Sequence, residues 1–192
     1  MTMSNLNIAQ PISPKDIKDF SKWVMYGGFR RYHNDGRIDD SHLGHDFISY
    51  LNTRGKEHFR LSPATPVRAI ADGKVKLIHK KPVSYPFSDY ELYIAVQHPE
   101  HGMTSGYMHV VPCVNIEDTV RKGQIIATLF DTSAYMPDIS LATHLHFELG
   151  HSLRINLTYP FLNEQIDPLH EIPKLSDISV RPVSPFSPRV RK

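Results

Sequence analysis

The chain has 192 residues, enough for one domain with a packed core, and an ordinary balance of 40% hydrophobic and 22% charged residues. Its net charge of +2 gives no electrostatic case for nucleic acid, and its single cysteine, Cys113, excludes an intrachain disulfide and a cysteine-based metal site. No stretch approaches the ~18 apolar residues of a membrane-spanning helix.

The amino terminus, MTMSNLNIAQPISP, has neither a positive cluster nor an apolar run, so no secretory signal is visible. Residues 1–26 read as a polar lead-in with a short helical turn around Pro14–Trp23. Beyond them, turn signals recur at short intervals between β-branched and aromatic residues, which predicts an all-β domain over residues 27–171. PVRAIADGKVKLIHK reads as a hairpin about Asp72-Gly73, with Val67 and Ala69 on one arm and Val75 and Leu77 on the other. ELYIAVQH, residues 91–98, is a strand that PEHG turns and MTSGYMHVV answers. TVRKGQIIATLF repeats the hairpin pattern about Lys122-Gly123, and THLHFEL, residues 143–149, is a further strand. Residues 81–90 and 129–140 read as long loops, of the kind that either wall a groove or merely connect strands. Residues 172–192 form a flexible tail with four prolines, four serines, five basic residues and one acid. That tail carries +4 and leaves −2 on the rest; it is either a solvated terminus or a hold on an anionic polymer.

Three stretches carry chemistry. In THLHFEL the period of two puts His144, His146 and Glu148 on one face and Leu145, Phe147 and Leu149 on the other. In HLGHD, His42 and Asp46 stand four residues apart, about 13 Å on a straight strand at ~3.3 Å per residue. That is too far for one ion, so Gly44 must let the chain bend between them. The third stretch is Tyr107-Met108-His109. Zinc takes two or three imidazoles and a carboxylate and keeps one position open when catalytic. His42, Asp46 and one histidine of the HxH pair provide three ligands, leaving the other and His109 to handle protons.

HxGxD, then YxH, then HLHFE resembles the lysostaphin/LytM-type zinc endopeptidases, which act on peptidoglycan. The likeness extends to GGFRRYHNDGRIDDSHLGHDF, TPVRAIADGKV, VRKGQIIATL and QIDPL, and so spans roughly residues 27–170. It implies a small antiparallel β-sheet or sandwich core of the duplicated-hybrid-motif kind, with long loops walling a groove. It also implies Zn²⁺ bound by His42, Asp46 and His146, with His144 as general base and His109 as the second unligated catalytic histidine. The implied substrate is a peptidoglycan peptide, which places the chain at the cell envelope or outside the cell. Glu148 is then either an orienting partner for an imidazole or a solvated strand residue. Tyr107, two residues before His109 and expected on its face, either touches substrate or packs.

Two features depart from the family pattern. LFDTSA, residues 129–134, stands where a glycine-rich segment is common, and HSLRINLTYPFLNEQ makes a long connection after HLHFEL. Alternative readings are a non-catalytic zinc-binding or wall-binding regulator of the same fold, a peptidase of non-wall peptides, and a carrier module suggested by VRKGQIIATLF. The carrier reading lacks an attachment lysine and leaves HxGxD unexplained.

Overall fold

The computed structural model describes residues 8–27, 42–80, 92–131, 143–157, 160–168 and 179–180. Residues 28–41 of the opening segment, the loop at 81–90, the loop at 129–140 from residue 132 onward, and all of the tail but 179–180 lie outside the described residues.

The fold is all-β. Its strands are β1 (Phe20–Gly27), β2 (His45–Asn52), β3 (Glu57–Phe59), β4 (Pro66–Arg68), β5 (Gly73–Lys80), β6 (Leu92–His98), β7 (Met103–Pro112), β8 (Thr119–Val120), β9 (Ile125–Leu129), β10 (Leu145–Gly150), β11 (Gln165–Ile166) and β12 (Ser179–Val180). They form one sheet in the order β12-β1-β2-β10-β7-β6-β5-β8, with β3, β4, β9 and β11 attached beside this path. Among the described pairs only β1 with β12 is parallel. No helix among the described residues is long and apolar enough to cross a membrane.

The stretch read as a lead-in with a helical turn holds a short 3-10 turn, Pro14–Asp16, and then enters β1. Ile8, Ile12, Trp23 and Val24 are buried, so the apolar residues of this segment belong to the core. The boundary expected at residue 26 falls inside β1.

The β6–β7 hairpin forms as the sequence predicts, turned by Pro99–His101 and by Gly102 in the left-handed conformation. The other two expected hairpins do not form. Their arms exchange partners instead: β4 pairs with β9, and β5 pairs with β8. Ala69 and Gly123 bond across this exchange, with Gly123 N–H donating to Ala69 O at 2.8 Å. Burial explains the exchange, because Val67, Ala69, Val75, Val120 and Ile126 all lie in one apolar cluster and two separate hairpins would split it. Gly73 is therefore not a turn glycine. A Cβ there would strike the carbonyl of Gln97 and come within 2.8 Å of His98 Nδ1, so the residue serves close strand approach.

The central strands have two covered faces. Phe47, Ile94, Val96, Tyr107, Leu145, Phe147 and Leu149 point to the main core with the N-terminal segment and β9. Leu77, Tyr93 and Ala95 point the other way, beneath Phe161 and Leu162. For this reason every residue of β10 is buried, and of the two readings of Glu148 the solvated one is excluded.

Candidate metal centre

Strand register assembles the site. β10 lies between β2 and β7, with His146 directly opposite Asp46 on one side and Met108 on the other. Directly opposite residues on antiparallel strands have Cβ atoms about 5 Å apart, which brings the Asp46 carboxylate against the His146 ring. His144 shares their face by strand alternation.

His42 lies just before β2. Gly44 makes the approach possible, because a Cβ there would strike the Phe147 carbonyl and stand 2.7 Å from His146 Nε2. The chain thus runs tight against β10, and His42 Nε2 comes within 3.1 Å of Asp46 Oδ2. The four-residue gap that is too long on a straight strand is closed by this bend.

His109 reaches the site through a bulge. Met108 pairs with Tyr93 and Val110 with Leu92, which leaves His109 as an extra residue in β7, with a φ of 63°. Regular alternation would turn His109 to the side of Tyr107. The bulge re-aims it, so that its ring lies 4.5 Å from that of His144 and 6.4 Å from that of His146. Tyr107 stays on the opposite face, fully buried, with its hydroxyl accepting from Ile70 N–H at 3.1 Å. The expectation that Tyr107 shares a face with His109 is thereby corrected, and of its two readings only packing stands.

His42, Asp46 and His146 each offer a ligand atom, and these atoms lie within 4.8 Å of one another. The His146 Nδ1 to Asp46 Oδ1 distance is 2.9 Å. This and the 3.1 Å His42–Asp46 separation are close to the ~3.3 Å between ligand atoms on a tetrahedron with bonds of 2.0–2.1 Å. Two imidazoles and a carboxylate are also the donor types zinc takes. His144 Nε2 stands 3.8 Å from Asp46 Oδ1, beyond a hydrogen bond but inside the same cluster. All five residues singled out in the sequence thus lie together at one end of β10.

The local field is strongly negative. Burial alone would discharge His146, but hydrogen bonds and charge from Asp46 and Glu148 outweigh it and raise the imidazole from its ordinary 6.5 to about 10. Two carboxylates thus face one imidazole, and both favour its charged form.

Two participants are not evident from sequence. Tyr93 donates its hydroxyl to Glu148 Oε2 at 2.8 Å, and Gly106 leaves the space for it. His45 Nε2 lies 2.6 Å from Asp167 Oδ1 and so ties the turn after β11 to the start of β2. The sequence signal for Tyr93 is its even separation from Ala95, but only register shows that it faces the site.

A family model for peptidase family M23 matches residues 56–159. The fold is similar to that of the catalytic domain of the antimicrobial peptidase lysostaphin from Staphylococcus simulans, at 23% identity and a TM-score of 0.51, covering 83% of this chain and 97% of that one. It is likewise similar to LytU, at 21% identity and a TM-score of 0.56, covering 82% and 90%. No curated protein sequence matches the chain.

Proposed function

The chain belongs to peptidase family M23, and on that premise we propose that it is a zinc-dependent endopeptidase hydrolysing peptide bonds in the stems or cross-bridges of bacterial peptidoglycan. The observation that carries this reading is the convergence of His42, Asp46 and His146 donor atoms within 4.8 Å, beside two further histidines. The likeness in fold to lysostaphin, named as an antimicrobial peptidase, supports it.

In this reading His42 Nε2, an Asp46 oxygen and His146 Nδ1 hold the metal. When bound, zinc supplies Lewis-acid chemistry, drawing charge from a scissile carbonyl and bringing the pKa of water towards about 7. His144 takes a proton from the attacking water as general base. His109 donates an N–H to the carbonyl oxygen as negative charge develops there. With the rings 4.5 Å apart, either histidine can then pass a proton to the leaving amine. His42 Nε2 and His146 Nδ1 each lie within about 3 Å of an Asp46 oxygen, so the three donors face one another, and a bound metal would take the place of the protons they share.

The test is zinc stoichiometry together with digestion of isolated peptidoglycan of several chemotypes. One zinc per chain and release of peptide termini from at least one wall type are expected. Asp46→Ala should lose both metal and activity. His144→Ala should retain zinc and lose roughly 10²–10⁴-fold in rate. A zinc-loaded protein that cuts no wall type would overturn the reading.

A further inference from the structure

Glu148 is fully buried although it is a carboxylate. A buried carboxylate is costly unless both oxygens find partners, and here both do. Oε1 lies 3.2 Å from His146 Nε2, and Oε2 accepts the Tyr93 hydroxyl at 2.8 Å. Tyr93 belongs to β6 and Glu148 to β10, so the hydroxyl must cross the intervening strand, β7. It crosses above Gly106, which pairs with Glu148 on one side and Ala95 on the other. Any Cβ at 106 would occupy the position of that hydroxyl. From outside, Phe161 packs on the Tyr93 ring at 4.6 Å. Three strands and a covering segment thus combine to fix one carboxylate against one imidazole.

We propose that Glu148, held by Tyr93 across Gly106, is the positioning residue of the metal centre, keeping the proton of His146 on Nε2 so that Nδ1 presents its lone pair beside Asp46. The inference rests on the zinc reading above and deepens it. A ligand histidine needs its second nitrogen committed to a partner, and such partners are typically worth 10–100-fold in metal affinity. The carboxylate is fully buried and acts on the metal centre through His146.

The test uses the full chain and zinc itself, with dissociation constants from competition against a chelator and ¹⁵N shifts of His146 in the zinc-loaded protein. Glu148→Gln should weaken zinc about 10–100-fold. Tyr93→Phe removes only the hydroxyl and should weaken it several-fold, so it serves should Glu148→Gln fail to fold. Tyr107→Phe is the control, since it deletes an equally buried hydroxyl on the opposite face; it should lower stability and leave zinc affinity unchanged. The proposal is overturned if wild type binds one zinc and Tyr93→Phe binds it as tightly, or if Tyr107→Phe weakens zinc as much as Tyr93→Phe does. Wild type that binds no zinc removes the metal reading, and this proposal with it.

Discussion

His109 holds a φ of 63°, a left-handed conformation that costs a residue with a Cβ about 1–2 kcal/mol. The strain accompanies the bulge that brings its ring to His144, so the site stores it in the backbone and the rest of β7 sustains it. A prediction follows that separates backbone from side chain. His109→Gly relieves the strain and His109→Ala keeps it, so the glycine variant should be more stable than the alanine variant by roughly 1 kcal/mol. Both should lose most of the hydrolytic rate. Urea unfolding of the pair checks the first point; equal midpoints would mean that the bulge carries no strain. At this scale the candidate site was partly legible. His42, Asp46, His109, His144 and His146, which the structure brings together, were legible as a set, because they sit in short local motifs that together resemble one family's. Tyr93 and Gly106 were not, because a tyrosine in an apolar strand and a glycine beside a serine signal nothing until register sets them opposite Glu148.

At the level of elements, β5, β6 and β7 are joined through a buried polar chain. His98 Nδ1 lies 2.9 Å from Asp72 O, His98 Nε2 lies 2.7 Å from Ser105 Oγ, and Ser105 donates to the Tyr107 hydroxyl at 3.0 Å. Burial pushes the His98 imidazole down from 6.5 to about 4, although its bond to the Asp72 carbonyl opposes the shift. The folded pKa is therefore the lower one. The unfolded chain binds this proton first as pH falls, so the His98 contribution is complete above about 6.5 and is lost towards pH 4. The loss amounts to roughly 3 kcal/mol over that window, at 1.36 kcal/mol per pKa unit. Urea unfolding at a series of pH values should show wild type losing stability between pH 6.5 and 4 more steeply than His98→Gln. Parallel curves would remove His98 as the acid-sensitive group. The same strands show why topology was only half legible. Alternation and turn residues marked where strands lie and predicted the β6–β7 hairpin, whose partners adjoin in sequence. The exchange of β4 and β5 with β9 and β8 depends on burying distant residues in one cluster, and no local pattern records that. Nor does alternation announce a bulge, which is why Tyr107 was expected beside His109.

Across the whole molecule, the centre draws Asp46 and His146 from positions 100 residues apart, and strand pairing sets them opposite each other. β10 is paired on both sides and buried along its length, and the main core lies behind it. Asp46 and His146 are set by register, and His42 by the close approach at Gly44. This differs from small zinc modules, in which metal binding and folding are a single event. Removing zinc with a chelator should therefore leave the far-UV circular dichroism unchanged and lower only the unfolding midpoint. The size of that shift follows from mass action, about 2.7 kcal/mol at a free zinc concentration 100 times the dissociation constant. It should also be reversible on adding zinc, because the donor set persists. Asp46→Ala should abolish the zinc-dependent part of the shift while keeping the strand signal. Loss of the β spectrum on chelation would contradict this account, because it would mean that the ion, and not the packing around β10, holds the three strands in register.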